Sequence, residues 1–572
     1  KQVNLKNYFK KFHIMPKFFL DGKELEYSQG QTIIEAAKAA GIEIPHFCWH
    51  PSLSVAGNCR VCLVEVEKAP KGMIACATHC TEGMVVHTNS PKAIHMRNAV
   101  MEFLLINHPL DCPICDEAGE CKLQDYAYKY SIGKSRFDEE KNHKDKRVEL
   151  GPHVMFDQER CISCSRCIRY CEEVVGDPQL TFVNRGEKVT IETFPGKQLD
   201  NPYSMNVIEL CPVGALTSRD FRFRARVWDM SHTDSVCSGC ARGCNDEIWV
   251  RDNVIKRLTP RENMDVNQYW MCDYGRLNTY KFVNDEATRV NSPMMREEDV
   301  SQESGGLKEC DWDDAIARVI SEIKNYKAEE LAFIASPYST LEDNFVLQRF
   351  AKEIAGCDNI AYIPHIEGED DKLLLRADKT PNAAGLKLLG INPIDMKFID
   401  KILNRQFKMV YILNDSLGRL ERTDDIAKAI EIAVLHISNF YEQSHKATVV
   451  LPASTYAEIN GTFVNFQNRV QRIRPAVATL EQERLPGEFA VSRLDKFGSH
   501  NDRWTKGTRF NARPAWKVIS QMAKVLGSDF GYDNTEEVFD DIAAKVPALN
   551  GMSYEVIGKL GAVVGQTEEV TA

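Results

Sequence analysis

The first regular pattern is a pair of short apolar–polar alternations, residues 17–20 and 23–27, separated by Asp21-Gly22. Asp-Gly suits the positive φ angles of a tight primed turn, so this reads as a β-hairpin. Residues 32–40 are alanine-rich and end at Gly41, which predicts a short helix with a left-handed C-terminal residue. Residues 94–108 predict a second helix with apolar positions Ile94, Val100, Phe103 and Leu104. Residues 154–156 begin a further small unit, and residues 245–258 read as a strand-like stretch. Beyond about residue 283 strands and helices alternate. Asp311, with Asp314 three residues on, predicts a capped helix whose apolar stripe is Ala315, Ile316, Val319, Ile320 and Ile323. Residues 331–335, 409–413 and 448–451 read as buried strands, the last stopped by Pro452.

At 572 residues the chain is expected to form several domains. Hydrophobic residues make up 43% and charged residues 27%, an ordinary globular balance that excludes a disordered or fibrous protein. A net charge of −11 argues against nucleic acid as a partner. No apolar run approaches the roughly 18 residues of a membrane span. Residues 1–14 differ in character from the rest of the chain and are expected to be a non-native or disordered leader, with Met15 as a plausible start; residues 561–572 are expected to fray.

The 19 cysteines change the picture, because 15 of them fall into four groups with ligand spacing. Cys48, Cys59, Cys62 and Cys76 form C-x10-C-x2-C-x13-C, with Gly57 in the loop. His108, Cys112, Cys115 and Cys121 form H-x3-C-x2-C-x5-C. Cys161, Cys164 and Cys167 are joined by the distant Cys211, which Pro212 follows. Cys237, Cys240, Cys244 and Cys272 form C-x2-C-x3-C-x27-C. Thiolates at such spacing converge on one soft-metal centre, and a remote fourth ligand closes the cage. A disulfide framework would require an oxidising compartment, and the N-terminus has lysines but no apolar signal core. Zinc is the rival metal, most of all for the fourth group. Cys80 could replace Cys76, and Cys171 could replace Cys211; Cys76 and Cys211 are preferred, since Cys171 lacks a following proline. The mixed-charge run 138–147 reads as a solvated linker.

These motifs carry a resemblance. The hairpin, helix and cysteine loop resemble the β-grasp [2Fe–2S] domain that opens the large iron–sulfur subunit of respiratory complex I and related hydrogenase subunits. The string HPLDCPICDEAGEC from His108 is similar to that family's [4Fe–4S] motif with one histidine and three cysteine ligands. The third group resembles a bacterial-type ferredoxin, and the fourth the [4Fe–4S] module of molybdopterin oxidoreductases. Residues 450–458 and 461–471 resemble part of a molybdopterin-enzyme body. The implied architecture is multidomain, α+β then α/β. It places a [2Fe–2S] domain at 15–94, [4Fe–4S] domains at 95–135 and 150–230, a [4Fe–4S] module at 231–282, and a degenerate molybdopterin-oxidoreductase-like region at 283–572.

The resemblance implies one [2Fe–2S] and three [4Fe–4S] clusters relaying single electrons from an NADH- and FMN-binding partner toward quinone-side subunits. It places the fourth cluster off that path, and membrane contact only through the complex, on the cytoplasmic face of the plasma membrane. The loop where a molybdenum enzyme carries its metal ligand reads Ala361-Tyr-Ile-Pro-His365, without cysteine, so no molybdopterin is expected, and Cys310 and Cys357 are expected to be buried thiols. No G-x-G-x-x-G at a strand–helix junction or P-loop appears, so neither NADH nor flavin is expected on this chain, and no catalytic constellation is visible in it. The rivals are the electron-transfer part of an NAD-linked hydrogenase, a molybdenum-dependent formate dehydrogenase and a zinc-stapled scaffold.

Overall fold

The computed structural model describes residues 15–296, 306–481 and 507–565. The expected leader at 1–14 and the tail beyond residue 565 lie outside them. The chain divides into two compact units, Lys1–Val227 and Trp228–Ala572.

In the first unit, strands Lys17–Leu20 and Lys23–Glu26 pair antiparallel across Asp21 (φ 49°) and Gly22 (φ 81°), as the hairpin reading predicts. They join a five-stranded sheet with Val85–His87, Leu63–Val66 and Met73–Ile74, in which Lys17–Leu20 runs parallel to Val85–His87. Helix Ile33–Ala39 packs Ile33, Ile34, Ala36 and Ala37 onto Phe18, Leu20, Val64 and Val86. Each fully buried Ile, Leu, Val or Phe among them contributes roughly 1.5–3 kcal/mol. Thr32 and Glu35 form a capping box, and Gly41 (φ 71°) follows the last turn.

Helix Pro91–Leu105 starts three residues earlier than expected, because Ser90 caps it by accepting from Ala93 N at 3.1 Å and Pro91 suits the first turn. Its buried positions are Ala93, Arg97 and Met101, whereas Ile94 is 40% and Phe103 74% exposed. The expected apolar stripe is therefore wrong. Buried Arg97 donates to Thr88 O at 3.0 Å and lies 4.6 Å over the Tyr130 ring, so its aliphatic stem and flat cation do the packing. Further on, strands Val148–Glu149, Val154–Phe156 and Leu216–Ser218 make an antiparallel sheet beside helix Asn206–Leu210 and a second hairpin, Leu180–Val183 with Thr190–Thr193.

In the second unit, the single strand-like stretch expected at 245–258 is two strands. Asn245–Arg251 and Val254–Pro260 turn at Asp252 (φ 53°) and Asn253 (φ 60°), both in the left-handed region. Together with Ser231–Val236 they form a three-stranded sheet. The α/β body is an eight-stranded sheet. Five of its inner strands, Val449–Pro452, Ile432–Ile437, Met409–Leu413, Leu331–Ala335 and Ile360–Tyr362, run parallel in that order. Strand alternation splits the core: Phe333 and Ala335 join one hydrophobic layer, Ala332 and Ile334 the other. Pro452 is the last residue of its strand rather than a stop before it.

Helix Trp312–Asn325 buries the whole predicted stripe. Asp311 occupies the N-cap position but makes no capping hydrogen bond; Asp313 and Asp314 instead complement the helix dipole. Cys357 is buried and Cys310 only half-buried, which corrects the expectation for the latter. Part of the segment expected to fray is ordered, since Ala562–Val563 pairs with Arg469–Ile473.

Candidate metal centres

In the first cysteine group, Gly57 (φ 61°) and Arg60 (φ 62°) turn the backbone so that Cys48 N points at Cys59 Sγ, 3.4 Å away. The four thiols form one hydrogen-bonded set in which Cys48 meets Cys59 and Cys76, and Cys62 meets Cys76. Sharing protons in this way pulls Cys48 and Cys62 toward thiolate and pushes Cys59 and Cys76 up. Cys80 lies apart beside Glu35, and burial raises it to about 11.

In the third group, Cys161, Cys164, Cys167 and Cys211 line one cavity with Phe156, Ile191 and Pro212. Two serines in the left-handed region, Ser163 (φ 52°) and Ser165 (φ 63°), curl the loop around it and aim Ser163 N at Cys161 Sγ, 3.4 Å away. Burial and mutual repulsion push all four thiols up. Four thiolates there would need a positive core, the charge that iron would supply. Cys171 is not among the residues lining the cavity; it lies on the π-helical turn Tyr170–Val175, raised to about 12 by burial and by Asp177.

In the second group, Cys115 and Cys121 are buried and Cys112 is exposed. Arg226 donates to Cys115 O at 2.5 Å and Pro113 O at 2.6 Å, tying down the loop. Burial, with Arg160 and Lys141 nearby, lowers His108 to about 4, so its imidazole is neutral at physiological pH, the form that binds metal. Arg160 also faces Cys115.

In the fourth group, Cys237, Cys240, Cys244 and Cys272 surround a cavity of about 290 Å³ that the α/β body closes with Glu367, Leu374 and Lys379. Cys237 N donates to Cys244 O at 2.9 Å, and Cys272 caps helix Asp273–Asn278 by accepting from Gly275 N at 3.3 Å. Burial raises all four thiols, as it does in the third group. Among the described residues no three His, Cys, Asp or Glu side chains close on the point a single metal ion would occupy.

Family models match the chain in the same order as these groups. They describe a 2Fe-2S iron-sulfur cluster binding domain at 15–91, an NADH-ubiquinone oxidoreductase-G iron-sulfur binding region at 97–136 and an NADH-quinone oxidoreductase subunit 3 ferredoxin-like domain at 151–217. A molybdopterin oxidoreductase Fe4S4 domain follows at 230–285, then molybdopterin oxidoreductase at 289–370 and 379–484. The NADH-ubiquinone oxidoreductase 75 kDa subunit of Reclinomonas americana is 37% identical over 414 residues, 72% of this chain and 55% of that protein. The mitochondrial NADH dehydrogenase [ubiquinone] iron-sulfur protein 1 of Solanum tuberosum is 41% identical over 407 residues, 71% of this chain and 49% of that protein. Over the matched residues the chain is homologous to these large iron–sulfur subunits.

It spans about half the length of the curated relatives it matches (49% for an NADH-quinone oxidoreductase subunit of Rickettsia bellii). A crystal structure of an NAD+-reducing [NiFe]-hydrogenase in the H2-reduced state is 30% identical over 37% of this chain and 91% of that one, with a TM-score of 0.34. The family's [2Fe–2S] and [4Fe–4S] binding domains are thus present, with a degenerate molybdopterin-type domain.

Groups separated along the chain meet in space. Arg169, two residues after the third group's cysteine run, donates to Cys48 O at 2.5 Å and to Ser54 O, and Asn58 Nδ2 donates to Ser163 O at 3.2 Å. The first and third groups therefore share a contact. On the other side, Gly214 lies so close to the second group that a Cβ there would stand 2.3 Å from Cys115 Sγ, and Cys121 Sγ approaches Pro212 O at 3.9 Å. The third group thus touches both the first and the second, and Tyr126, on the helix after Cys121, also packs on Phe47 beside Cys48.

Two features escaped the sequence. Gly275 leaves room for thiols, since a Cβ there would stand 3.0 Å from Cys237 Sγ and 3.3 Å from Cys272 Sγ, and Gly214 does the same for Cys115. Their closeness to cysteines in sequence was the available signal. The run 138–147 is also more than a solvated linker. Lys141 donates to Leu105 O and Ile106 O at the end of helix Pro91–Leu105, Asn142 N donates to Asn107 Oδ1 at 3.1 Å, and Lys146 meets Asp111 at 2.7 Å. It clamps the loop that carries His108. Cys357 is engaged in the core, donating to Leu331 O at 3.2 Å.

Proposed function

We propose that the chain is the electron-relay subunit of an NADH:quinone oxidoreductase, taking electrons from an NADH- and FMN-binding partner and passing them toward quinone-side subunits. It holds one [2Fe–2S] cluster on Cys48, Cys59, Cys62 and Cys76. Three [4Fe–4S] clusters are held by His108, Cys112, Cys115 and Cys121; by Cys161, Cys164, Cys167 and Cys211; and by Cys237, Cys240, Cys244 and Cys272. When bound, these clusters supply one-electron redox chemistry. The residues around them exclude water, aim backbone N–H groups at sulfur and set the local charge.

The observation that carries this reading is the continuity of the first three groups. Arg169 bridges the first to the third, and Gly214 brings the third against the second. A storage or scaffold role would not need three cages in contact. The molybdenum alternative is disfavoured by the thiol-free loop around His365 and by Cys357 being turned into the core. No helix among the described residues is long and apolar enough to cross a membrane. Our reading places the chain peripherally within a membrane-bound complex, on its cytoplasmic side.

Metal and sulfide analysis of the anaerobically purified protein tests this. About 14 iron atoms with matching sulfide and no molybdenum is the expected result. About 10 iron atoms plus zinc would remove the fourth cluster, and stoichiometric molybdenum would overturn the relay reading.

A further inference from the structure

A second cavity, of about 230 Å³, adjoins the fourth cysteine cage and shares Gly239, Tyr274 and Lys379 with it. It lies at the carboxyl ends of the five parallel strands of the α/β body. Tyr338 follows Leu331–Ala335, His365 follows Ile360–Tyr362, Asn414 follows Met409–Leu413, Ser438 follows Ile432–Ile437 and Thr455 follows Val449–Pro452. Open α/β sheets bind ligands in this crevice, and the volume approaches that of small-molecule sites.

The lining states the charge of the occupant. It holds no carboxylate and no thiol, so neither a cation nor a thiolate-bound metal is catered for. It does hold one ammonium. Lys379 Nζ donates to Arg376 O at 2.7 Å and, among the described residues, is in no ion pair with a carboxylate; it brings this lining its one ammonium and also faces the thiols of the fourth cage. The remaining lining is hydrogen-bonding: His365 Nδ1 meets Tyr338 Oη at 2.6 Å, and Asn414, Ser438 and Thr455 add amide and hydroxyl groups. The Tyr456 hydroxyl is buried against Thr279 and Ser238 without reaching hydrogen-bond geometry with either, which leaves a buried donor to be satisfied at the cavity wall.

We propose that this cavity binds a small anionic molecule through its carboxylate or phosphate group, with Lys379 as the counter-charge and the Tyr456 hydroxyl as a donor. Because Lys379 also lines the fourth cage, the bound anion stands one layer of side chains from it. Occupancy then lowers the reduction potential measured there, by adding negative charge nearby.

Calorimetric titration of the full cluster-loaded chain with inorganic phosphate, AMP and acetate tests the proposal without relying on electron transfer. Saturable binding of at least one probe is expected. Phosphate and AMP together would identify a phosphate ligand, and acetate alone a carboxylate. Lys379→Gln should weaken binding about tenfold or more while Lys379→Arg retains it. Ser438→Asp, which leaves Lys379 in place but adds a carboxylate to the lining, should abolish it even if Lys379→Gln fails to fold. No saturable heat with any probe, or equal binding by the wild-type chain and Ser438→Asp, would overturn the proposal.

Discussion

Individual thiols separate by what surrounds them. Cys211 lines the third cavity beside Cys161, Cys164 and Cys167, whereas Cys171 does not and faces Asp177. Cys211→Ala is therefore expected to lose one [4Fe–4S] cluster, and Cys171→Ala to keep all of them; iron content and low-temperature EPR of the two variants check this. Glycine matters in the same direct way. Gly275→Ala puts a methyl group 3.0 Å from Cys237 Sγ and 3.3 Å from both Cys272 Sγ and Met271 Cε, so two of the three neighbours that would have to give are cage thiols. The fourth cluster's EPR signal should vanish in that variant while the other three remain, and an unchanged signal would mean that the cage can widen. Cysteine spacing was legible because ligand sets recur locally, two or three residues apart. The choice between Cys171 and Cys211 needed the fold, because it depends on which side chain a helix turns inward.

At the level of elements, the inner strand Ile432–Ile437 carries an uncommon burden. His436 is fully buried, its Nδ1 lies 2.7 Å from Tyr411 Oη, and its Nε2 has no partner. Burial lowers it to about 3. The unfolded chain takes up a proton below about pH 6.5 and the folded chain does not, so stability is lost as pH falls from about 6.5 toward 3. The steepest slope from this residue is roughly 1.4 kcal/mol per pH unit, a ceiling that other titrating groups will modify. Denaturant unfolding of wild type and His436→Gln between pH 7 and 5 should show a shallower loss in the variant; parallel curves would mean that the histidine takes up its proton in place. Strand Ile432–Ile437 itself was not singled out in the sequence, whereas Leu331–Ala335 and Met409–Leu413 were, as unbroken apolar runs. Helix Pro91–Leu105 misled for the opposite reason. Its buried face centres on Arg97, which pattern reading counts as polar, while Phe103 points outward.

Across the first unit, the third cysteine group touches the first, although the second group lies between them along the chain. Nothing in the spacing of Cys48 to Cys211 foretells that the first and third groups touch, because Arg169 and Cys48 are 121 residues apart. Such contacts are set by how the loops pack, not by local pattern. The same holds for Lys141 and Lys146, whose mixed-charge run looks solvated until its partners at Ile106 and Asp111 are seen. The measurement that tests the relay most directly is spin relaxation of the reduced [2Fe–2S] signal by pulsed EPR in the intact complex. It should be compared between Cys211→Ala, which removes the third cluster, and Cys121→Ala, which removes the second. The direct contact of the third group with the first predicts a larger slowing of relaxation in Cys211→Ala than in Cys121→Ala. The reverse pattern would contradict it and return the groups to their order along the chain.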